Sequence, residues 1–244
     1  MSKKRILNIC PVGHDPVVEP QVKAYLQKYC RSDSEIEVRS LGEAPMDLEY
    51  YVHEALIAEK FLRQVKLAEE DGFDAAILGC FYDPYIDAAK ELCTNMVVVG
   101  PGEASMRIAT SLARRFSIIA PTQKTVQHMY DDVKKSGFSE HLASIRALDV
   151  PVTDLLGDPG ATQRKMCVEI ETALKIDRAE AIILGCTLEF GHFEELQKKY
   201  GVPVIDVSLA ALKYAEFMIS VRDACGWHTS KICTFTPPPP RSLY

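Results

Sequence analysis

The feature that most constrains this chain is that it repeats itself. The apolar run Ala75–Leu78 leads into Leu78-Gly79-Cys80, and the run Ala181–Leu184 leads into Leu184-Gly185-Cys186. At the same offset Val97-Val98-Val99 falls on Pro203-Val204-Ile205. The runs 6–10 and 116–120 each stop at a proline, Pro11 and Pro121. An internal duplication of roughly 110 residues accounts for all three matches. Within each half, short β-branched runs alternate with longer amphipathic stretches, the pattern of an α/β unit with parallel strands.

The pattern predicts strands at 5–10, 36–39, 75–78 and 96–99, then at 116–120, 143–148, 181–184 and 204–206. Helices are expected near 17–29, 53–70, 84–92 and 103–113, then at 123–135, 161–175, 193–199 and 209–223. The expected architecture is two pseudo-symmetric α/β lobes, each a mostly parallel sheet flanked by helices. The division is 1–114 and 115–225, the helix that ends the first lobe being able to pack on the other. Ligands of open parallel sheets sit beyond the carboxyl ends of the strands, so the active site is expected in the cleft between the lobes. Residues 226–244 contain Pro237-Pro238-Pro239-Pro240, which continues neither a helix nor a central strand. They read as a packed arm or loose tail, with wrapping around another chain as a second reading.

Composition excludes several classes. A net charge of -6 argues against nucleic-acid binding, which calls for a basic surplus or stripe. No apolar run reaches the roughly 18 residues of a membrane span, and the run after Arg5 is too short for a signal peptide, so a cytoplasmic location is expected. Eight cysteines raise the question of disulfides or metal. A disulfide framework belongs to small secreted domains. No Cys-x-x-Cys pair is present, and Cys225 and Cys233, with His228 between them, match no familiar zinc spacing. No metal is expected.

The chemistry concentrates in Gly79-Cys80 and Gly185-Cys186. Each cysteine ends a buried strand; the glycine before it is expected to let a ligand approach the backbone. Amides at a following helix start would favour thiolate and hold an oxyanion. A lone cysteine there reads as core as readily as catalyst, but two in matching motifs point to a pair. Two opposed thiols, one starting as thiolate (free pKa ~8.5), suit removal of a proton beside a carbonyl on one face and its return on the other. No cofactor is required: a Gly-x-Gly-x-x-Gly fingerprint and a P-loop are both absent.

The segment Leu78-Gly79-Cys80-Phe81-Tyr82-Asp83-Pro84, followed by Val99-Gly100-Pro101-Gly102-Glu103-Ala104-Ser105, resembles the hydantoin racemase branch of the aspartate/glutamate racemase superfamily. Ile183-Leu184-Gly185-Cys186-Thr187 is similar to the second motif of aspartate and glutamate racemases, and Val202-Pro203-Val204-Ile205-Asp206 also matches. The resemblance covers most of residues 5–224. It implies two lobes with the site between them, and pyridoxal-independent racemisation of a cyclic ureide such as a 5-substituted hydantoin or allantoin, or of an amino-acid-like acid. Two departures stand out. The family opens with Asn-Pro-Asn after its first strand, where this chain has Cys10-Pro11-Val12-Gly13. Hydantoin racemases follow the second cysteine with Ala-Gly-Met, where this chain has Thr187-Leu188-Glu189.

The expected catalytic residues are Cys80 and Cys186. Pro11, Val12, Gly79, Phe81, Thr122, Gly185 and Thr187 are expected around a small-molecule substrate. Thr122 and Thr187 read equally as helix caps. Asp83 reads as a helix N-cap before Pro84, and Glu103 as a first-turn acid. His14 reads as a solvated loop residue or a ligand contact. Tyr82 and Tyr85, where the family favours glycine, are expected to narrow the entrance or alter substrate size. Competing functions on the same scaffold are cis–trans isomerisation of the maleate isomerase kind, decarboxylation of the arylmalonate kind, or ligand binding without turnover. A homo-oligomer is expected by analogy.

Overall fold

The computed structural model describes residues 3–239. Pro240 and the residues after it, the end of the proline-rich stretch, lie outside the described residues, as do Met1 and Ser2. The first half runs β1 (Lys4–Cys10), α1 (Val18–Tyr29), β2 (Ser34–Ser40), α2 (Tyr51–Glu70), β3 (Ala75–Leu78), α3 (Ile86–Leu92), β4 (Val97–Val99) and α4 (Pro101–Leu112). The second runs β5 (Phe116–Ala120), α5 (Gln123–Lys135), β6 (Leu142–Ala147), α6 (Pro159–Lys175), β7 (Ala181–Leu184), α7 (Phe193–Tyr200), β8 (Val204–Asp206) and α8 (Val207–Cys225). Each expected strand and helix is present, with ends shifted by at most two residues.

The strands form two four-stranded sheets in the orders β2-β1-β3-β4 and β6-β5-β7-β8, parallel throughout. Sheet order and direction therefore repeat with the sequence. Strands β3 and β7 are buried at every residue. That is why they read as unbroken apolar runs: a central parallel strand is covered on both faces and has no polar side to show. The edge strands carry the charge. On β2, the Arg39 guanidinium joins that of Arg5 over the Phe73 ring, 5.2 and 4.1 Å from its centroid. On β6, Arg146 donates two hydrogen bonds to Asp177, at 2.6 and 3.1 Å, and Ser144 donates a third at 2.6 Å. The Arg146 guanidinium holds the Asp177 carboxyl below the usual carboxylate range.

Local signals fix the helix ends. Asp158 accepts a hydrogen bond from the Ala161 amide at 2.9 Å and is followed by Pro159 in the first turn of α6, a side-chain cap with a preset φ. Gly201, at φ 67°, ends α7 in the left-handed region that favours glycine. Glu103 stands in the first turn of α4, as the sequence suggests.

The chain divides into two compact units, neither contiguous in sequence. Of the described residues, the first takes those up to Gly79, then Asp83–Gly100 and those from Leu212; the second takes Cys80–Tyr82 and Pro101–Ala211. The units thus differ from a division at residue 114. Helix α4, with Ala104, Ser105, Met106 and Ala109 buried, packs on β7 and β8 of the second unit. The later part of α8 belongs to the first unit: Arg222 pairs with Asp74 at 2.7 Å, and Glu216 accepts the Arg31 amide at 2.8 Å. The residues after α8 include a short 3-10 turn, Cys233–Phe235, that contacts α3. Among the described residues, no helix is long and apolar enough to cross a membrane.

Candidate active site

Cys80 follows β3 and Cys186 follows β7, and both are half-buried. The residues before them are held in the same way. Gly79 donates its amide to the Ile9 carbonyl at 2.8 Å, and Gly185 donates to the Ile119 carbonyl at 2.7 Å. A Cβ on Gly79 would stand 2.7 Å from the Ile9 carbonyl oxygen, and one on Gly185 2.6 Å from that of Ile119. The place a Cβ would take is therefore filled by the neighbouring strand's backbone. Gly185→Ala is expected to cost about 1–3 kcal/mol by overpacking, read as a lower urea midpoint with an unchanged denaturant slope.

The three residues Cys80–Tyr82 group with the unit that holds Cys186. Phe81 is 2% exposed, a wall residue of the core. The Tyr82 ring stacks on that of His128 on α5, with centroids 4.1 Å apart and planes at 18°. This stack ties the Cys80 segment to α5, and the Tyr82 side chain is buried. Tyr85 is likewise engaged, donating its hydroxyl to the Glu54 carbonyl at 2.8 Å. Nor is Asp83 a helix cap. It adopts φ 49°, Tyr85 adopts φ 57° at the position before α3, and α3 starts only at Ile86. The Asp83 carboxylate instead lies over Gly100, filling the place a Cβ there would take. Two non-glycine residues in left-handed conformation cost on the order of 1 kcal/mol each.

Thr122 occupies the position before α5, but its side chain makes no cap hydrogen bond. Its hydroxyl oxygen is buried without a hydrogen-bond partner. A buried hydroxyl left unmatched is costly. Thr187 caps no helix either: α7 begins at Phe193, and the Thr187 carbonyl accepts a hydrogen bond from the Ser208 hydroxyl at 3.1 Å.

Pro11 is buried and Val12 half-buried in the first unit. The Val12 carbonyl accepts the Leu41 amide at 3.0 Å, and the Gly13 amide donates to the Pro45 carbonyl at 2.8 Å, so this loop's backbone is tied to the loop after β2. Burial pushes the Cys10 thiol up to about 12, with the Glu19 charge adding to it. Cys10 is a neutral thiol near neutral pH. His14 is exposed and pairs through Nδ1 with Glu19 at 2.6 Å. All eight cysteines are free of disulfides.

Two acidic residues stand out by their burial. Glu189 is 1% exposed, and neither carboxyl oxygen has a hydrogen-bond partner. Asp206, at the end of β8, is 4% exposed and well matched. It accepts the amides of Ser208 and Leu209 at 3.0 and 3.1 Å and that of Gly191 at 3.3 Å. Burial, helped by the Asp206 charge and opposed by the pull of the Cys186 and Gly185 amides, pushes the Glu189 carboxyl well above the ordinary glutamate range. The folded chain thus holds this proton more tightly than the unfolded chain. The stability this contributes is complete below the ordinary glutamate pKa (~4.3) and is lost as pH climbs towards the folded value. Glu189→Gln, which has no proton to lose, is expected to gain Tm relative to the parent as pH rises above the ordinary glutamate range. Parallel melting curves at each pH check this.

The profile of the Asp/Glu/Hydantoin racemase family matches residues 18–215. The chain belongs to that family. A hydantoin racemase of Rhizobium meliloti is 36% identical over 196 residues, 80% of this chain and 79% of its own length. The solved allantoin racemase of Klebsiella pneumoniae superposes with a TM-score of 0.89 at 31% identity, over 97% of this chain and 94% of that one. A maleate isomerase of Pseudomonas putida S16, 15% identical with a TM-score of 0.66 over 91% of this chain, shares the fold alone. Membership in the family makes the protein an isomerase of the racemase kind.

Proposed function

We propose that this racemase acts on a five-membered cyclic ureide of the hydantoin or allantoin type, exchanging the proton on the carbon beside the carbonyl between Cys80 and Cys186. The observation that carries this reading is the equivalence of the two cysteines. Each follows a buried central strand, each stands behind a glycine bonded to the neighbouring strand's carbonyl, and both belong to one compact unit. Racemisation needs two monoprotic groups that trade roles, one thiolate and one thiol, and reprotonation from the face opposite removal inverts the centre. The thiols supply both functions without an electron sink. The relatives named hydantoin and allantoin racemase support the substrate class.

The unmatched Thr122 hydroxyl is the group for a ureide carbonyl. As the proton leaves, negative charge moves onto that oxygen, and a fixed donor gains most at that moment. Thr122→Val keeps the shape and removes the hydroxyl. It is expected to lower kcat/KM about tenfold, the worth of one hydrogen bond, without lowering Tm, because the parent hydroxyl has no partner in the folded chain.

The test of the function is proton NMR in D₂O with a panel of 5-substituted hydantoins, allantoin, aspartate and glutamate. Deuterium entering the α-position of a ureide, with loss of optical activity, is the expected result. Exchange confined to aspartate or glutamate would move the substrate to the amino acids, and no exchange with any compound would remove the proposal.

A further inference from the structure

The carboxyl of Glu189 is a liability that no fold requires. It is buried, neither oxygen completes a hydrogen bond, and a second buried carboxyl, Asp206, bears on it. Its place in the chain says what it faces. The Glu189 amide donates to the Cys186 carbonyl at 3.0 Å, closing the turn 186–189. Closure of that turn brings the carboxyl back towards the amides of Gly185 and Cys186, which draw on it without completing a hydrogen bond. Ser208, which follows the Asp206 cap, fastens the same turn at the Thr187 carbonyl.

The two carboxyls are not equivalent. Asp206 accepts three backbone amides, the surroundings of an ionised group, whereas Glu189 accepts none. Two carboxylates in one buried site do not both ionise cheaply, and the better-solvated one keeps the charge. Of the other titratable groups on the loop, His192 is driven towards its neutral form by burial, opposed by the Glu195 charge. Asp206 is the charge that acts on Glu189.

We propose that Glu189 is a positioning residue for Cys186: a buried carboxylic acid without a hydrogen-bond partner that sets the turn 186–189 bearing the thiol. This rests on the reading of Cys186 as one of the two acid–base thiols. An ionised Glu189 would put a negative charge on the turn that carries a Cys186 thiolate, and an apolar side chain would remove the only carboxyl on that turn. A neutral acid avoids both.

The test uses the full-length protein and reads chemistry other than turnover. Infrared difference spectra of the parent against Glu189→Gln are expected to show the C=O stretch of a protonated carboxylic acid in the parent only. Iodoacetamide labelling as a function of pH, resolved by peptide mass spectrometry, then follows Cys186 with Cys80 as the internal control. Cys10 and Cys93, both pushed up to about 12 by burial, stay silent near neutral pH. Glu189→Gln is expected to label at Cys186 within about twofold of the parent and with the same midpoint. Glu189→Leu is expected to label there about tenfold more slowly while Cys80 is unchanged. A midpoint that falls in Glu189→Gln, or a missing carboxylic acid band, would show that Glu189 is ionised and overturn the proposal. Parent-like labelling in Glu189→Leu, or equal slowing at both cysteines, overturns the positioning role. Should Glu189→Leu not fold, the band and the Glu189→Gln profile still decide. Loss of the racemase reading would be seen separately, as absent α-proton exchange in a parent whose labelling obeys these expectations.

Discussion

Cys80→Ala and Cys186→Ala are each expected to lower racemisation by at least about 10³-fold, the scale of a positioned acid or base, and to do so in different ways. With one thiol removed, the remaining one still reaches the α-proton of one enantiomer. It takes that proton and returns a deuteron to the same face, so one enantiomer exchanges with D₂O and does not invert. The opposite enantiomer, whose proton faces the missing thiol, is inert. The two variants should therefore show mirror-image selectivity: the enantiomer labelled by Cys80→Ala is the one Cys186→Ala leaves untouched. NMR of each pure enantiomer in D₂O, paired with chiral chromatography, measures both quantities. Parent-rate racemisation in either variant would eliminate the two-thiol scheme, and exchange of both enantiomers by one variant would point to a different base. Neutral thiols such as Cys10 do not substitute, because burial keeps that group protonated.

Asp206→Ala is expected to be among the most destabilising single changes at this site. The carboxylate accepts two amides at the start of α8 and a third from Gly191, all in a nearly inaccessible setting. Losing a helix cap costs about 1 kcal/mol, and leaving a buried donor unmatched costs about 1–3 kcal/mol more. A total of about 3 kcal/mol would lower Tm by roughly 6–12 °C in a chain of this size. Asp206→Asn keeps an oxygen for the Ser208 and Leu209 amides but puts a donor opposite the Gly191 amide, so it is expected to recover the cap part of that loss only. Thermal unfolding of the pair separates the cap from the charge. A drop in Asp206→Asn as large as in Asp206→Ala would mean that the charge or the Gly191 hydrogen bond, not the cap at the start of α8, holds the turn.

Most of the scaffold was legible before any coordinates because its signals are local and repeated. Strands β3 and β7 announce themselves as apolar runs ending in Gly-Cys, and the alternation around them leaves little choice of topology. What stayed hidden depends on tertiary context. The sequence places Gly79 and Gly185 beside the cysteines but cannot say that the atom they make room for is a carbonyl of the adjacent strand. Asp83 before Pro84 has the composition of a cap, yet its φ is positive and the helix begins later. Glu189 looks like an ordinary loop acid, because burial without a partner leaves no mark on composition or period. The one available hint was its apolar setting, between Leu188 and Phe190. Helix α4 follows β4 directly, and amphipathicity identifies a buried face without saying which sheet covers it.

The division of the chain also bears on how it is made. Strands β1 to β4 are all synthesised by Val99, but the first unit has the rest of its helical cover only once Leu212 and the residues after it exist. Helix α4, the next segment to emerge, is claimed by the second unit instead. At roughly 5–20 residues per second, the first sheet waits several seconds with apolar surface open before Arg222 can reach Asp74. Such a chain cannot mature one half at a time from its N-terminus, as a string of independent domains does. Its first half is the last to be finished, and separately expressed halves cut between 114 and 115 would each lack the helix that the other encodes.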